Sequence, residues 1–318
     1  MRFLTVLLSV SLLAACGGSD SVDVAPSPDI TDIASELATN ADLVAEILHD
    51  AETSAPPDDV LSDTPDTTAM PWPDPVAMQV VDGLPLIPGS YDDGIVLPYI
   101  IDTLSQICFV DDDLMGDFLY HEVDATFGND TLVDLLVKGR EMEPDEQYLG
   151  IDIGGLVGQS FFQQRFIIAD YPGAGFYSFA TAVDLSTNAV PGHAGEPVNT
   201  VSVAQQNAFP VVTVTLGEGL EAPLLADTSS RISIITQTIF DQLDDGTLPQ
   251  VEGYRFTSKY GEDAGFLTRL PELTVGTMTV TGLEAVVIPD EHHLVAVLEP
   301  NGVFVEGYLG AQFWNRFA

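Results

Sequence analysis

From about Ala77 onward the chain alternates short apolar, β-branched runs with turns made of Gly, Pro and Asp, as in Val211-Val212-Thr213-Val214-Thr215-Leu216-Gly217 and Met278-Thr279-Val280-Thr281-Gly282. Runs of this length, closed off by turn formers, predict strands. Helical spacing is confined to short pieces, chiefly Thr236 to Leu243 and the segments around Phe161 and Phe313. The expectation is a mainly β protein with short helices. A polar stretch containing Gly and Pro, residues 181–206, reads as a linker between two lobes, 77–180 and 207–318. Upstream the texture differs: residues 16–76 are rich in Asp, Ser, Thr, Ala and Pro, and the run Ala55-Pro56-Pro57-Asp58-Asp59 marks an acidic, unstructured tether. Within it Ile30 to Ile47 has the spacing of one amphipathic helix capped by Asp29 or Thr31, either a docking segment or part of a self-repelling, extended spacer.

The first fifteen residues have another character. Met1-Arg2, an apolar run from Phe3 to Leu13, and the small residues Ala14 and Ala15 form a signal peptide, too short in its apolar part to span a bilayer. Leu13-Ala14-Ala15-Cys16 resembles the lipobox of bacterial lipoproteins, which implies lipidation of Cys16 and a stable membrane anchor. Gly17, in place of aspartate, favours an outer over an inner membrane by resemblance to enteric lipoproteins.

Charge and cysteine content narrow the partners. The chain has 9 Lys and Arg against 49 Asp and Glu, a formal net charge of −40, and no lysine or arginine between Cys16 and Lys138. Nucleic acid and anionic headgroups need cationic surface, so both are excluded as partners. A surface adapted to salt accounts for such a charge as well as an ionic ligand does. With Cys16 carrying lipid, Cys108 has no intramolecular partner, and packing alone holds the fold.

An internal repeat is the informative feature. Ile101-Asp102-Thr103-Leu104-Ser105-Gln106-Ile107-Cys108-Phe109-Val110 aligns without a gap on Ala226-Asp227-Thr228-Ser229-Ser230-Arg231-Ile232-Ser233-Ile234-Ile235. Further on, Gly155-Leu156-Val157-Gly158-Gln159-Ser160-Phe161-Phe162 aligns on Gly307-Tyr308-Leu309-Gly310-Ala311-Gln312-Phe313-Trp314, each followed by an Arg-Phe pair. Two motifs recurring in one order mark a duplication. A duplicated unit with Asp-Thr after one apolar strand, and an apolar-apolar-Gly element later, resembles the pepsin and retropepsin aspartic peptidases from about Met78 to Ala318.

That resemblance implies a two-lobed acid-protease fold and a specific division of labour. Asp102 and Asp227 match the paired catalytic carboxyls, which share one proton because both cannot ionise at contact distance. One carboxylate then takes a proton from water as it attacks a peptide carbonyl, and its neighbour donates to the developing oxyanion. Thr103 and Thr228 match the threonines that cross-link the two loops. Ser105 and Ser230 match the serine that hydrogen-bonds an aspartate. The implied function is endopeptidase action on peptide or protein in the cell envelope. The alternative is a catalytically degenerate module that binds a peptide or protein partner.

The sequence departs from the family in two places. Its third motif residue, glycine, is replaced by Leu104 and Ser229. A leucine there is expected to lie where substrate backbone passes and to screen the aspartates from water. After its Gly motif the first lobe continues through Ile167 to Phe179, whereas the second stops at Phe317-Ala318, so either the sequence is truncated or another segment fills the place of the equivalent strand pair. The hairpins Leu119 to Val137, with Tyr120, and Tyr254 to Leu270, with Tyr260, read as surface hairpins with ordinary tyrosines, or alternatively as substrate-covering flaps.

No cofactor or metal is assigned. Asp111-Asp112-Asp113 lacks the spacing of a calcium loop and reads as a solvated turn. His292-His293 has no carboxylate or cysteine at zinc-ligand spacing, and His49, His121 and His193 are scattered. Cys108 lies on an apolar strand and reads as a small buried hydrophobe.

Overall fold

In the computed structural model the described residues are 72–317, apart from 93, 117–118, 181–182, 184–189, 193–200, 202, 208 and 259–260. The signal peptide, Cys16, the tether, the Ile30 to Ile47 helix and most of the linker therefore lie outside the described residues. Ten strands precede the linker: β1 (Val76–Ala77), β2 (Gln79–Val81), β3 (Leu84–Tyr91), β4 (Leu97–Ile101), β5 (Cys108–Asp111), β6 (Tyr120–Phe127), β7 (Asp130–Arg140), β8 (Gly155–Val157), β9 (Phe166–Asp170) and β10 (Gly175–Phe179). Among the described residues ten more lie from Val203 onward: β11 (Val203–Gln206), β12 (Phe209–Leu216), β13 (Leu220–Ala226), β14 (Ser233–Thr236), β15 (Val251–Ser258), β16 (Gly261–Arg269), β17 (Glu272–Val275), β18 (Met278–Thr281), β19 (Glu284–Ile288) and β20 (Gly307–Leu309). Helices are short, and three fall where helical spacing predicts them, at Gln159–Phe162, Gln237–Leu243 and Ala311–Trp314.

The duplication is visible in the sheets. The first is ordered β2-β3-β4-β8-β5-β7-β6 and the second β15-β16-β19-β14-β20-β13-β12-β17-β18. Matching β3, β4, β8, β5, β7 and β6 to β12, β13, β20, β14, β19 and β16 superposes one order on the other, with β15 and the β17–β18 hairpin as additions to the second lobe. The register repeats too: β4 runs parallel to β8 with Ile101 opposite Val157, and β13 runs parallel to β20 with Ala226 opposite Leu309. Central strands covered on both faces are buried along their whole length rather than at alternate positions. That is why Ser233–Thr236 and Gly307–Leu309 are buried at every position.

Two differences from expectation emerge. The second sheet starts inside the predicted linker, because β11 pairs antiparallel with β12 from Val203↔Val212 to Gln206↔Phe209. The extra strand pair of the first lobe, β9–β10, joins β1 in a separate sheet ordered β1-β10-β9. That sheet has its own apolar packing, where Trp72 meets Tyr177 and Phe179 edge-on.

The lobes also share core. Leu104 of the first is wholly buried in an apolar cluster otherwise built by the second, with Phe209, Ile232, Phe256, Leu294 and Tyr308. Ala311 of the second joins a first-lobe cluster with Leu84, Leu86, Ile100 and Leu156.

Candidate active site

Each Asp-Thr loop begins at the end of a central strand and returns into the next, and backbone bonds hold both in the same way. The N–H of Asp102 donates to Val157 O at 3.0 Å, and that of Asp227 to Leu309 O at 2.9 Å. The carbonyl of Ser105 accepts from Gln159 N at 2.8 Å, and that of Ser230 from Ala311 N at 2.7 Å. The glycine ending each apolar-apolar-Gly element makes this approach possible. A Cβ at Gly158 would sit 2.1 Å from Ile107 O, and one at Gly310 2.7 Å from Ile232 O. Gly155 and Gly307, which open these elements, have φ of +145° and +141°, a region that side chains strain.

Hydrogen bonds inside the loops aim the carboxyls. Asp102 Oδ1 accepts from Leu104 N at 2.9 Å and Ser105 N at 3.3 Å, while Oδ2 accepts from Ser105 Oγ at 2.7 Å. Asp227 Oδ1 accepts from Ser229 N and Ser230 N, both at 2.9 Å, and Oδ2 accepts from Ser230 Oγ. Ser229 Oγ adds a further bond to Asp227 Oδ1 at 2.9 Å. Leucine offers no such donor at the corresponding place in the first loop.

The loops meet at their threonines. Thr103 Oγ1 lies 3.4 Å from Thr228 Oγ1, and Thr228 Oγ1 donates across the lobe boundary to Ile101 O at 2.7 Å. Asp102, Thr103, Ser105, Asp227, Thr228 and Ser230 are thus assembled in one buried cluster at the junction. Both aspartates have 0% exposure. Burial pushes the Asp227 carboxyl up to about 7, against the Ser230 and Ser229 donors, which pull it down. Its acid form is therefore present near neutrality, so the group has both the proton a donor needs and the anion a base needs within one pH range.

Leu104 does not occupy an open groove. Its side chain is directed into the apolar cluster of the second lobe. The sequence suggests a screen over the aspartates; the side chain is in addition a wedge between lobes, packed in one cluster with Phe209, Ile232 and Tyr308.

Cys108 and Ser233 occupy equivalent positions beneath the loops. Gly158 N donates to Cys108 Sγ at 3.2 Å and Gly310 N to Ser233 Oγ at 3.0 Å. Burial pushes the Cys108 thiol up to about 11, so it stays protonated and acts as packing.

The first candidate flap does not cover the site. Its turn folds onto its own lobe, where Gly128 N bonds Pro88 O at 2.8 Å and Asn129 Nδ2 bonds Asp74 O at 3.3 Å. Tyr120 lies under the Lys138 ammonium, 5.3 Å from the ring centroid, and Tyr260 lies outside the described residues. The other hairpin, β15–β16, places Phe256 in the cluster that holds Leu104. Asp111 caps the helix Asp112–Met115 by accepting from Asp113 N at 3.4 Å.

Three participants escape sequence reasoning. Tyr171, just beyond β9, has a buried hydroxyl without a hydrogen-bond partner. Burial and then the charge of Asp227 raise it above the ordinary phenol value. In sequence, Asp170-Tyr171-Pro172-Gly173 reads only as a turn. Arg231, which replaces Gln106 of the other copy, reaches the first lobe at Asp82 Oδ2 and Tyr148 Oη, both 2.8 Å away. Asp263 meets both His292 and His293, at 3.2 and 3.3 Å, which supplies the carboxylate that local spacing does not reveal.

A family model described as aspartyl protease matches residues 212–313, nearly the whole second lobe. No curated protein matches the chain. Among solved structures it is similar to a retropepsin-like aspartic protease from Rickettsia conorii, with 14% identity, TM-score 0.28, and coverage of 38% of this chain and 80% of that one. It is also similar to aspartic proteinase from Irpex lacteus, with 12% identity, TM-score 0.46, and coverage of 76% and 91%. Basic 7S globulin from soybean is similar at 12% identity, TM-score 0.37, and coverage of 75% and 90%. On the duplicated topology, the cross-linked Asp-Thr loops and the second-lobe family match, the chain resembles the pepsin and retropepsin aspartic peptidases, and its fold is mainly β and two-lobed.

Proposed function

We propose that this protein is an envelope lipoprotein, held by lipid on Cys16 and sorted to an outer membrane, that hydrolyses peptide bonds through Asp102 and Asp227. The observation that carries the catalytic part is the pairing of two equivalent loops. Each carboxyl is held by its own serine and backbone amides, and the loops are joined at Thr103 and Thr228. In the reaction the ionised carboxyl of the pair removes a proton from water. The water oxygen bonds to the peptide carbonyl carbon, and the protonated carboxyl donates to the oxygen that gains charge. Collapse of the tetrahedral species breaks the C–N bond, with the proton passing to the leaving amine.

A specific observation favours a second reading. Both aspartates are wholly buried, and Leu104 is engaged in the core, so the site accepts substrate only if the lobes part. A module of this kind binds a peptide without cleaving it. Turnover separates the two, since the fold is common to both. The full chain is assayed on a mixed peptide library across acidic and neutral pH. Peptidase action requires cleavage that falls about 1,000-fold or more in Asp102→Asn and in Asp227→Asn separately. Peptide retention with no cleavage by any form establishes the binding module. Cys16→Ala is expected to abolish lipid labelling and release the protein from membranes; retention by that variant refutes the anchor.

A further inference from the structure

The residues Asp263, His292 and His293 form the one group of potential metal ligands among the described residues, each offering an atom within 4.8 Å of the others. Asp263 is on β16, in the part of the hairpin that projects past β19: pairing of β16 with β19 starts only at Phe266↔Val287. The histidines open the short helix His293–Ala296. Their rings stack at 4.3 Å with an interplanar angle of 29°, and the Nε2 atoms address the two oxygens of one carboxylate.

The surroundings hold this arrangement in place. The Phe256 ring, opposite Asp263 on β15, lies against His292 at 6.2 Å. The hydroxyl of Tyr308 donates to Leu294 O, so the histidine helix is fastened to the apolar-apolar-Gly strand beneath the second catalytic loop. The side chains of His292 and Asp263 are only 10% and 12% exposed, and His293 is 32% exposed. The cluster is thus sheltered on one side and open to solvent on the other.

We propose that these three residues bind a zinc-class divalent cation that pins the β15–β16 hairpin to the helix below it. Two imidazole nitrogens and one carboxylate oxygen suit borderline first-row ions, whereas calcium and magnesium prefer all-oxygen sets. Three protein ligands leave the remaining positions to water. In the metal-free arrangement Nδ1 of His292 accepts from Leu294 N at 3.3 Å, which puts the ring proton on Nε2, towards Asp263. Ion binding at Nε2 moves that proton to Nδ1 and forfeits the long cap bond. The ion replaces the close approaches of His292 and His293 to Asp263 with coordinate bonds. The net charge of −40 and the neighbouring Asp290 and Glu291 favour cation entry.

The test titrates the full chain with Co²⁺, a coloured stand-in for Zn²⁺, in millimolar Ca²⁺ to fill surface carboxylates. One Co²⁺ per chain is expected, with visible bands of low coordination number, displaced by Zn²⁺ and not by Ca²⁺. His293→Ala, which leaves the His292 cap in place, and Asp263→Asn are each expected to weaken binding roughly tenfold or more. Should either variant lose its native circular dichroism, the unmodified chain decides by NMR: Zn²⁺ must shift the imidazole signals of His292 and His293 together. Binding that Ca²⁺ removes, or that survives both substitutions, or that leaves both imidazoles unmoved, overturns the proposal.

Discussion

The two Asp-Thr loops present one backbone twice with two different side chains at the third position. Strand order, the bond from each aspartate N–H, the serine on each Oδ2 and the glycine beneath are repeated in both lobes. Leu104 and Ser229 are not. Serine turns inward and adds a hydroxyl donor to Asp227, while leucine turns outward into the other lobe. One position therefore tunes a carboxyl in the second loop and glues the lobes in the first. Backbone geometry in this fold is set by glycine and strand register, and the side chain at the loop's third position is left available for other uses.

Shortening both residues is expected to give the largest contrast. Leu104→Gly removes a wholly buried side chain from a shared core and frees the backbone, for a loss of roughly 5 kcal/mol in chemical denaturation. Ser229→Gly removes one hydrogen bond and is expected to cost about 1–2 kcal/mol. Equal losses would show that Leu104 does not bridge the lobes. If the lobes part more easily in Leu104→Gly, peptide cleavage should rise per folded molecule even as stability falls.

The acid response of the second loop gives the next largest effect. A carboxyl held at about 7 when folded, and near 4 when unfolded, binds its proton more tightly in the native state. Its contribution is complete below pH 4 and is lost as pH rises through 7, a change of about 4 kcal/mol. Asp227→Asn keeps a neutral, hydrogen-bonding group at all pH and should flatten this limb of the stability profile. The remaining pH dependence of the variant then measures the repulsion among the other acids. A wild-type profile parallel to that of Asp227→Asn between pH 4 and 7 would show that the carboxyl is not held in its acid form.

The threonines give the smallest contrast. Thr228 Oγ1 meets both Thr103 Oγ1 and Ile101 O, so Thr228→Val leaves a buried carbonyl without that donor and should cost about 2 kcal/mol. Thr103→Val breaks the longer 3.4 Å contact and should cost about 1 kcal/mol or less. Reversal of that order in thermal melts would mean that the cross-link is carried from the other side.

Much of this architecture is legible in the sequence because duplication is a comparison the chain makes with itself. Aligning Ile101 to Val110 on Ala226 to Ile235 identifies the loops, and the later Gly motifs identify the strands beneath them. Strand-length apolar runs predict the β class, and the spacing around Phe161, Thr236 and Phe313 locates three of the helices. Each of these signals is local, a repeat or a period along the backbone, and local propensity needs no knowledge of which segments come to be neighbours.

What tertiary structure decides is every property that depends on a neighbour distant in sequence. Leucine at position 104 is apolar in any context, but only the approach of Phe209, Ile232 and Tyr308 makes it a wedge between lobes. The His292-His293 pair has no carboxylate nearby along the chain, and β16 delivers Asp263 across the fold. The β6–β7 hairpin reads in sequence as a surface hairpin or a flap, and pairing of β6 with β3 turns its tip towards its own lobe. Desolvation follows the same rule: an aspartate titrates near 4 in an exposed chain, and burial in the folded chain pushes Asp227 up to about 7.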